Sequence, residues 1–152
     1  MRRKLNPLEY AVYLIGRRGR TRAEIRWKLL EKKYPEDEIN MTLARLDEIN
    51  LLDDRKFAEA YTTDKVNIYR RGRFRIGLEL LRKGVDKEII DQSLSQVKEE
   101  DELKAATSLL EGRRRSWRDL HERKRFERAM ALLQRRGFSP KVVRLAIQQF
   151  EE

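Results

Sequence analysis

Apolar residues recur at intervals of three and four along most of the chain, which is the spacing of one face of an α-helix. The stretch from residue 50 to residue 85 shows this pattern most clearly. Asp53 or Asp54 can cap a first helix. The segment Arg70-Arg71-Gly72 closes it, because the cations suit the negative end of the helix dipole and the glycine tolerates a left-handed turn. A second helix then runs to Gly84, where a third begins. This stretch therefore predicts short helices joined by tight turns.

The flanking sequence carries similar start signals on both sides of this stretch. Pro7 and Pro35 stand at helix starts, where proline is tolerated because the first amide groups of a helix have no intrahelical partner. Residues 21–24 have the spacing of a capping box, and Ser139 with Pro140 begins the last helix. Alternation of β-branched and polar residues is absent from the chain, so the sequence predicts an all-α fold.

The helical pattern occurs three times. When Tyr34, Val85 and Phe138 are aligned, with separations of 51 and 53 residues, the apolar positions on either side coincide. Repeats of this length are typical of strings of similar supersecondary units. The sequence therefore predicts an elongated tandem array of three three-helix units, similar to helix-turn-helix repeats. The units span residues 1–52, 53–97 and 98–152. The aligned columns include Ile25, Ile76 and Ala129; Trp27, Leu78 and Ala131; Leu29, Leu80 and Leu133; and Ile39, Ile90 and Val143.

Two motifs at the centre of the chain resemble those of the RecX family of regulatory proteins. They are LLDDRKFAEAY at residues 51–61 and GRFRIGLELLRKGV at residues 72–85. The resemblance covers nearly the whole chain, because that family is also built from tandem three-helix units. One position departs from the pattern, since Lys33 stands where the other units have Gly84 and Gly137. The conformation of the first turn therefore stays open.

The resemblance implies a regulator of the bacterial RecA recombinase. Members of the family bind along the helical groove of the RecA–DNA filament and inhibit strand exchange, ATP hydrolysis and co-protease activity. The implied partners are therefore the recombinase filament and its single- or double-stranded DNA. We further expect a cytoplasmic monomer that acts without a cofactor.

Basic residues recur between the first and second helices of each unit. The tetrapeptide Arg-Arg-Gly-Arg occurs at residues 17–20 and again at 70–73, and Gly112 precedes three arginines in the third unit. Arginine before glycine is also ordinary capping of a helix C-terminus, but capping does not explain the arginines that follow the glycines. We therefore predict a discontinuous basic stripe that binds the filament or its nucleic acid. Its residues are Arg17, Arg18, Arg20, Arg70, Arg71, Arg73, Arg75, Arg113, Arg114 and Arg115.

Charge favours polyanionic partners, because the formal net charge of the chain is +10. The excess is uneven along the sequence. Residues 1–34 carry 11 basic and 3 acidic side chains, whereas residues 35–52 carry 1 and 5. A partner of mixed charge, such as a protein groove that contains DNA, suits this distribution better than bare duplex alone.

The residue types that catalysis and metal binding need are scarce. The chain has no cysteine and one histidine, His121, which stands in a charged segment and is expected to be solvated. Helix capping explains Asp53 and Asp54, and the glycines at 72 and 77 lack the Lys-Ser/Thr and preceding strand of a phosphate loop. No apolar run approaches the roughly 20 residues of a membrane span. We therefore expect a non-enzymatic protein without a cofactor, metal site or membrane segment.

Two other functions fit the same pattern. The units could act as sequence-tolerant DNA-binding modules, or the chain could be a helical scaffold whose charge only aids solubility. Tyr69, Phe74 and Trp117 stand beside the basic corners, where they could either stack on bases or be buried between units. The remaining aromatics at core spacing are expected inside the units. These are Tyr34, Phe57, Tyr61, Phe126, Phe138 and Phe150.

Overall fold

Helices form the regular structure of the described residues, as the sequence predicts. The structure is a computed structural model, and it describes Met1 and residues 3–152 of the chain. Within that part, nine helices follow one another: α1 (Pro7–Arg17), α2 (Arg22–Glu31), α3 (Glu36–Glu48), α4 (Asp54–Asn67), α5 (Arg73–Arg82), α6 (Lys87–Ser95), α7 (Glu99–Glu111), α8 (Glu122–Arg135) and α9 (Pro140–Glu151).

These helices form three units of three consecutive helices. Helices α1, α2 and α3 contact one another, as do α4, α5 and α6, while α9 packs against both α7 and α8. Each unit encloses its own cluster of buried apolar side chains, which contains Ile25 in the first unit, Ile76 in the second and Leu133 in the third. The predicted tandem array of three-helix units is confirmed.

The accessible surface reflects this arrangement. A compact monomer of this mass would expose about 8,100 Å², whereas this chain of 18.3 kDa exposes 10487 Å². Three small cores in tandem leave more surface exposed than one large core, so the molecule is elongated. Because each small core alone contributes little stability, contacts between units become important.

The repeat register is preserved in three dimensions. The column of Ile25, Ile76 and Ala129 is buried in all three units. The aligned column two positions later, which contains Trp27 and Leu78, lies outside the three buried clusters, because these two residues are 48% and 54% exposed. On a helix, a residue two positions from a core residue points about 200° away from it. The apolar character of this column therefore repeats on the surface rather than in the interior.

The turn between the second and third helices has the same left-handed conformation in every unit. The φ angles are 63° at Lys33, 77° at Gly84 and 86° at Gly137. Glycine adopts this conformation freely, whereas lysine is strained there. The first turn, which the sequence leaves open, is therefore the same turn made with an unfavourable residue.

Glycine has a second role in the later units. A Cβ added to Gly84 would overlap the Cβ of Ala23 in the first unit, and one added to Gly137 would overlap the backbone of Arg75 in the second. Lys33 belongs to the first unit and stands at an exposed turn of the described structure. This difference explains why a side chain is tolerated at the first turn alone.

Gly72 has a different role from the one that the sequence predicts. Its φ angle is −85°, α4 already ends at Asn67, and the left-handed residue of this corner is Arg70 at φ 53°. The amide of Gly72 donates a hydrogen bond to the carbonyl of Arg136 at 2.7 Å, and a Cβ on Gly72 would overlap the backbone of Gly137. The prediction of a left-handed turn at Gly72 is wrong, because the glycine instead permits close packing between units.

We call the contact between consecutive units a joint. At the first joint, the hydroxyl of Thr21 donates to the carbonyl of Lys83 at 2.6 Å, and the amide of Arg22 donates to Asp54 at 3.0 Å. Burial raises the pKa of Asp54, although the hydrogen bond from the Arg22 amide opposes the rise. The second unit thus satisfies an amide that the start of α2 leaves without an intrahelical partner.

The second joint repeats this geometry with a stronger ionic contact. The amide of Phe74 donates to the carbonyl of Gly137 at 3.1 Å, and the amide of Arg73 donates to Glu102 at 2.8 Å. The guanidinium of Arg73 donates to the other oxygen of Glu102 at 2.9 and 3.1 Å. Because Glu102 is fully buried, its carboxylate needs this counter-ion.

The segment between α7 and α8 is a series of turns that covers the third core. Trp117 is buried in it, and its ring meets Phe150 edge to face at a centroid distance of 6.4 Å. Tyr69 and Phe74, the other aromatics beside basic corners, are at least half exposed. Burial therefore accounts for Trp117, whereas Tyr69 and Phe74 remain available to a partner.

Phe126 is 48% exposed, so its predicted place in the core is wrong. The residue before it, Arg125, faces α9 and donates to Glu151 at 2.9 Å. Successive residues of a helix point about 100° apart, so Phe126 faces away from that contact.

Ile76→Asp should unfold the second unit. It places a charge in a fully buried site and should lower the free energy of unfolding by about 3 kcal/mol or more. Leu78→Asp, on the same helix but half exposed, should cost less than about 1 kcal/mol. Urea unfolding followed by circular dichroism measures both. Equal costs for the two variants would show that the register of α5 is misassigned.

Gly84→Ala should destabilise the first joint. The left-handed φ angle should cost about 1–2 kcal/mol, and overlap with Ala23 adds to it. Lys33→Gly should leave stability unchanged or raise it by up to about 1 kcal/mol, since it relieves the same backbone strain at an exposed turn. A Gly84→Ala chain with the urea midpoint of the wild type would contradict the packing of the joint.

Candidate basic interface

The structure brings the first two basic corners together. Arg18 and Arg20 of the first unit line one cleft with Arg71 and Arg75 of the second, and the cleft has a volume of about 690 Å³. Residues of two separate repeats therefore line the same cleft. The cationic lining is completed by Lys28, Arg82 and Lys83.

Arg136 extends the positive charge towards the third corner. Its guanidinium donates to the carbonyl of Tyr69 in the second unit at 3.1 Å. Burial lowers the pKa of Arg136, and the charges of Arg71, Arg75 and Arg113 lower it further. Arginines of two units therefore surround this guanidinium. The sequence does not single out Arg136, because arginine before glycine is also an ordinary helix cap.

We call the cations of the cleft and of this extension the basic surface. Its members are Arg18, Arg20, Lys28, Arg71, Arg75, Arg82, Lys83, Arg113, Arg135 and Arg136.

Two of the predicted arginines that do not line the cleft are held by contacts within the fold. Arg73 is the counter-ion of the buried Glu102 at the second joint. Arg114 donates to Glu111 at 2.7 Å and to the carbonyl of Phe150 at 2.9 Å. Arg73 follows its glycine because it stabilises the contact between units, so folding does explain this arginine.

The remaining predicted arginines lie at the surface outside the cleft. Arg17 donates to the hydroxyl of Tyr13 at 2.8 Å, while Arg70, Arg113 and Arg115 are exposed. The charge of Arg113 also contributes to the lowered pKa of Arg136. The predicted corners therefore contribute unequally, since four of the ten predicted arginines line the cleft and the other six do not.

Glu79 fixes the orientation of two cleft arginines. Its carboxylate accepts hydrogen bonds from Arg71 at 2.7 Å, from Nε of Arg75 at 3.0 Å and from the hydroxyl of Tyr61. Burial opposes ionisation of Glu79, but the hydrogen bonds from Tyr61, Arg75 and Arg71 outweigh it and lower its pKa. Burial and the hydrogen bond to Glu79 raise the pKa of Tyr61. The carboxylate is therefore ionised at neutral pH and preorganises both guanidinium groups.

An uncovered apolar stripe borders the basic surface on α5. The stripe consists of Phe74, Leu78 and Leu81, which are 62%, 54% and 59% exposed. Spacings of four and three residues place them on one face of the helix, and Arg75 and Arg82 of the same helix line the cleft. Contiguous exposed apolar side chains rimmed by polar ones are typical of interaction sites.

The chemical groups of the basic surface are guanidinium and ammonium donors, which bind phosphate and carboxylate oxygens. Among the described residues, no three His, Cys, Asp or Glu side chains are grouped to hold a metal ion. None of the helices in this part of the chain is long and apolar enough to cross a membrane.

Comparison with known proteins identifies all three units separately. Models of the first, second and third three-helix domains of RecX match residues 8–46, 53–94 and 99–147. Together these matches cover most of the chain.

Individual relatives agree with the domain matches. The regulatory protein RecX of Chlorobium phaeobacteroides (strain BS1) is 39% identical over 87 residues, which are 57% of this chain and 58% of that protein. The regulatory protein RecX of Chlorobaculum tepidum is 31% identical over 146 residues, covering 96% of this chain and 89% of the relative. The crystal structure of RecX from Lactobacillus salivarius superposes with a TM-score of 0.87 over 95% of this chain and 94% of that one, and at 24% identity it supports the fold. The chain belongs to the RecX family of regulatory proteins.

Proposed function

We propose that this protein binds the RecA recombinase–DNA filament and inhibits its recombinase, ATPase and co-protease activities. The observation that carries the proposal is the apolar stripe beside the basic surface on α5. A filament of protein and DNA presents apolar side chains and phosphates close together, so a surface of mixed character fits it. Membership of the RecX family supports the same partner.

The tandem arrangement suits a repetitive partner. The joints hold the three units in sequence, so contacts made by one unit raise the effective concentration of the next unit at its own site. Binding that links neighbouring filament subunits opposes the motions that ATP hydrolysis and strand exchange require. In this mechanism the protein acts as a cytoplasmic monomer and needs no catalytic group of its own.

Sequence-tolerant DNA binding alone is the second candidate function. A helix that binds DNA without sequence preference presents cations and hydrogen-bond donors to the phosphates. The exposed face of α5 instead presents Phe74, Leu78 and Leu81. This composition favours a protein partner at the apolar stripe and nucleic acid at the adjoining basic surface.

A charge-reversal test separates loss of binding from loss of folding only if the arginines that are replaced have no ion pair within the fold. Glutamate at Arg71 or Arg73 would stand beside Glu79 or Glu102, so loss of function there could reflect loss of folding. Arg82 and Arg113 are exposed and have no ion pair among the described residues. They are the better positions.

The double variant Arg82→Glu/Arg113→Glu should weaken inhibition of the filament about tenfold or more at physiological salt, because it removes cations that contact phosphate or carboxylate groups. The measurement is ATP hydrolysis by assembled recombinase, titrated with the variant. The control Arg128→Glu/Arg144→Glu makes the same change of charge at exposed positions that have no ion pair among the described residues and lie outside the cleft lining. Equal inhibition by the two double variants would mean that only net charge matters.

The double variant Leu78→Asp/Leu81→Asp should separate the two partners. It should weaken inhibition of the filament, because it places charge on the apolar stripe, and it should retain salt-dependent binding to free DNA through the basic surface. Titration of the filament ATPase and electrophoretic binding to free DNA measure the two effects. Retained inhibition by a folded variant would exclude the apolar stripe from the interface.

A further inference from the structure

The cleft between the first and second units contains an arginine without its expected acceptor. Arg20 and Arg71 occupy the same position of the repeat, and so do Lys28 and Glu79. In the second unit, Glu79 accepts hydrogen bonds from Arg71. In the first unit a lysine replaces that carboxylate, and Nε of Arg20 is buried without a hydrogen-bond partner among the described residues.

The carboxylates of the cleft are engaged by other cations. Three line it, namely Glu24, Glu31 and Glu79. Each lies within 4.0 Å of a lining cation other than Arg20 and Arg82. These two arginines have no ion pair within the described part of the chain, so their guanidinium charges are available to an anion from outside. Guanidinium groups bind phosphate oxygens in a bidentate manner.

Trp27 lies in the same cleft with nearly half of its surface exposed. One edge of its ring meets the turn of the second unit, since a Cβ on Gly84 would lie 3.2 Å from Cη2 and 3.4 Å from Cζ2. The joint therefore holds one edge of the indole while the rest remains open to the cleft. An exposed indole among arginines is an arrangement on which nucleic-acid bases stack.

We infer that this cleft binds a segment of single-stranded DNA, with phosphates at Arg20 and Arg82 and a base stacked on Trp27. The inference rests on the proposed function, because it names the strand within the filament as the ligand of the basic surface. A single strand fits better than a duplex, since its bases can leave their stack and reach Trp27. A duplex offers this cleft only its phosphates.

The test uses the whole chain and an oligothymidylate of about 12 nucleotides, without recombinase. The chain has two tryptophans, so Trp117→Phe leaves Trp27 as the only one, and its fluorescence should be quenched saturably by the oligonucleotide. Trp27→Ala should lower affinity about tenfold, and Trp27→Phe should retain most of it, because stacking needs an aromatic ring. Fluorescence anisotropy of labelled oligonucleotide gives the affinities.

Leu30→Ala is the matched control for these variants. Leu30 is an exposed apolar residue of the same helix that does not line the cleft, so its truncation should leave affinity unchanged. Since Trp117 is buried, its replacement can impair folding. In that event the quenching of the wild-type chain is compared with that of Trp27→Phe. The oligonucleotide should quench the fluorescence of the wild-type chain but not that of Trp27→Phe.

Three results would overturn the inference. They are unchanged affinity of Trp27→Ala, no quenching of Trp27 on binding, and a duplex of equal length that binds as tightly as the single strand. Because the assay contains no recombinase, its failure leaves filament inhibition to be judged by the separate ATPase titration. If the wild-type chain binds the oligonucleotide but does not inhibit the recombinase ATPase, that result counts against the proposed function alone.

Discussion

Close backbone contact at the two joints is the constraint on which the rest of the structure depends. Each unit has a small core, so the array needs contacts between units to hold a defined shape. The turn at Gly84 meets α2 and the turn at Gly137 meets α5, and neither contact leaves room for a side chain. Lys33 makes the same left-handed turn in the first unit, where its side chain is exposed. Glycine therefore stands at the two turns that pack against another unit, whereas the exposed first turn has a lysine.

The joints also create the candidate interface. Taken separately, each basic corner resembles ordinary helix capping. Once the units are packed, Arg20 and Arg71 line one cleft, and Arg136 of the third unit lies among arginines of the second. Glu79 orients part of this charge, whereas Lys28 occupies the equivalent position of the first unit and leaves Arg20 unmatched. The replacement of a glutamate by a lysine at one position of the repeat thus leaves Arg71 paired and Arg20 without an acceptor.

The sequence predicts the helices, the units and most of the cores correctly, because these depend on periodicity within short segments. Contacts between units cannot be predicted in this way, because they join residues that are far apart in the sequence. Gly72 resembles an ordinary turn glycine, yet it packs against Gly137, which lies 65 residues further along the chain. Arg73 resembles a binding residue until the fold places the buried Glu102 beside it. The exposure of Leu78 follows from helical spacing alone, so that feature could have been predicted.

The dependence of inhibition on the joints can be tested without removing a single cation. Glu102→Gln takes away the buried charge that holds Arg73 and raises the formal net charge by one from +10. Glu100→Gln makes the same change at an exposed position of α7. If the joint aligns the basic surface, Glu102→Gln should inhibit the recombinase ATPase more weakly than Glu100→Gln, with helicity retained. Equal or stronger inhibition by folded Glu102→Gln would contradict a surface that depends on the joint.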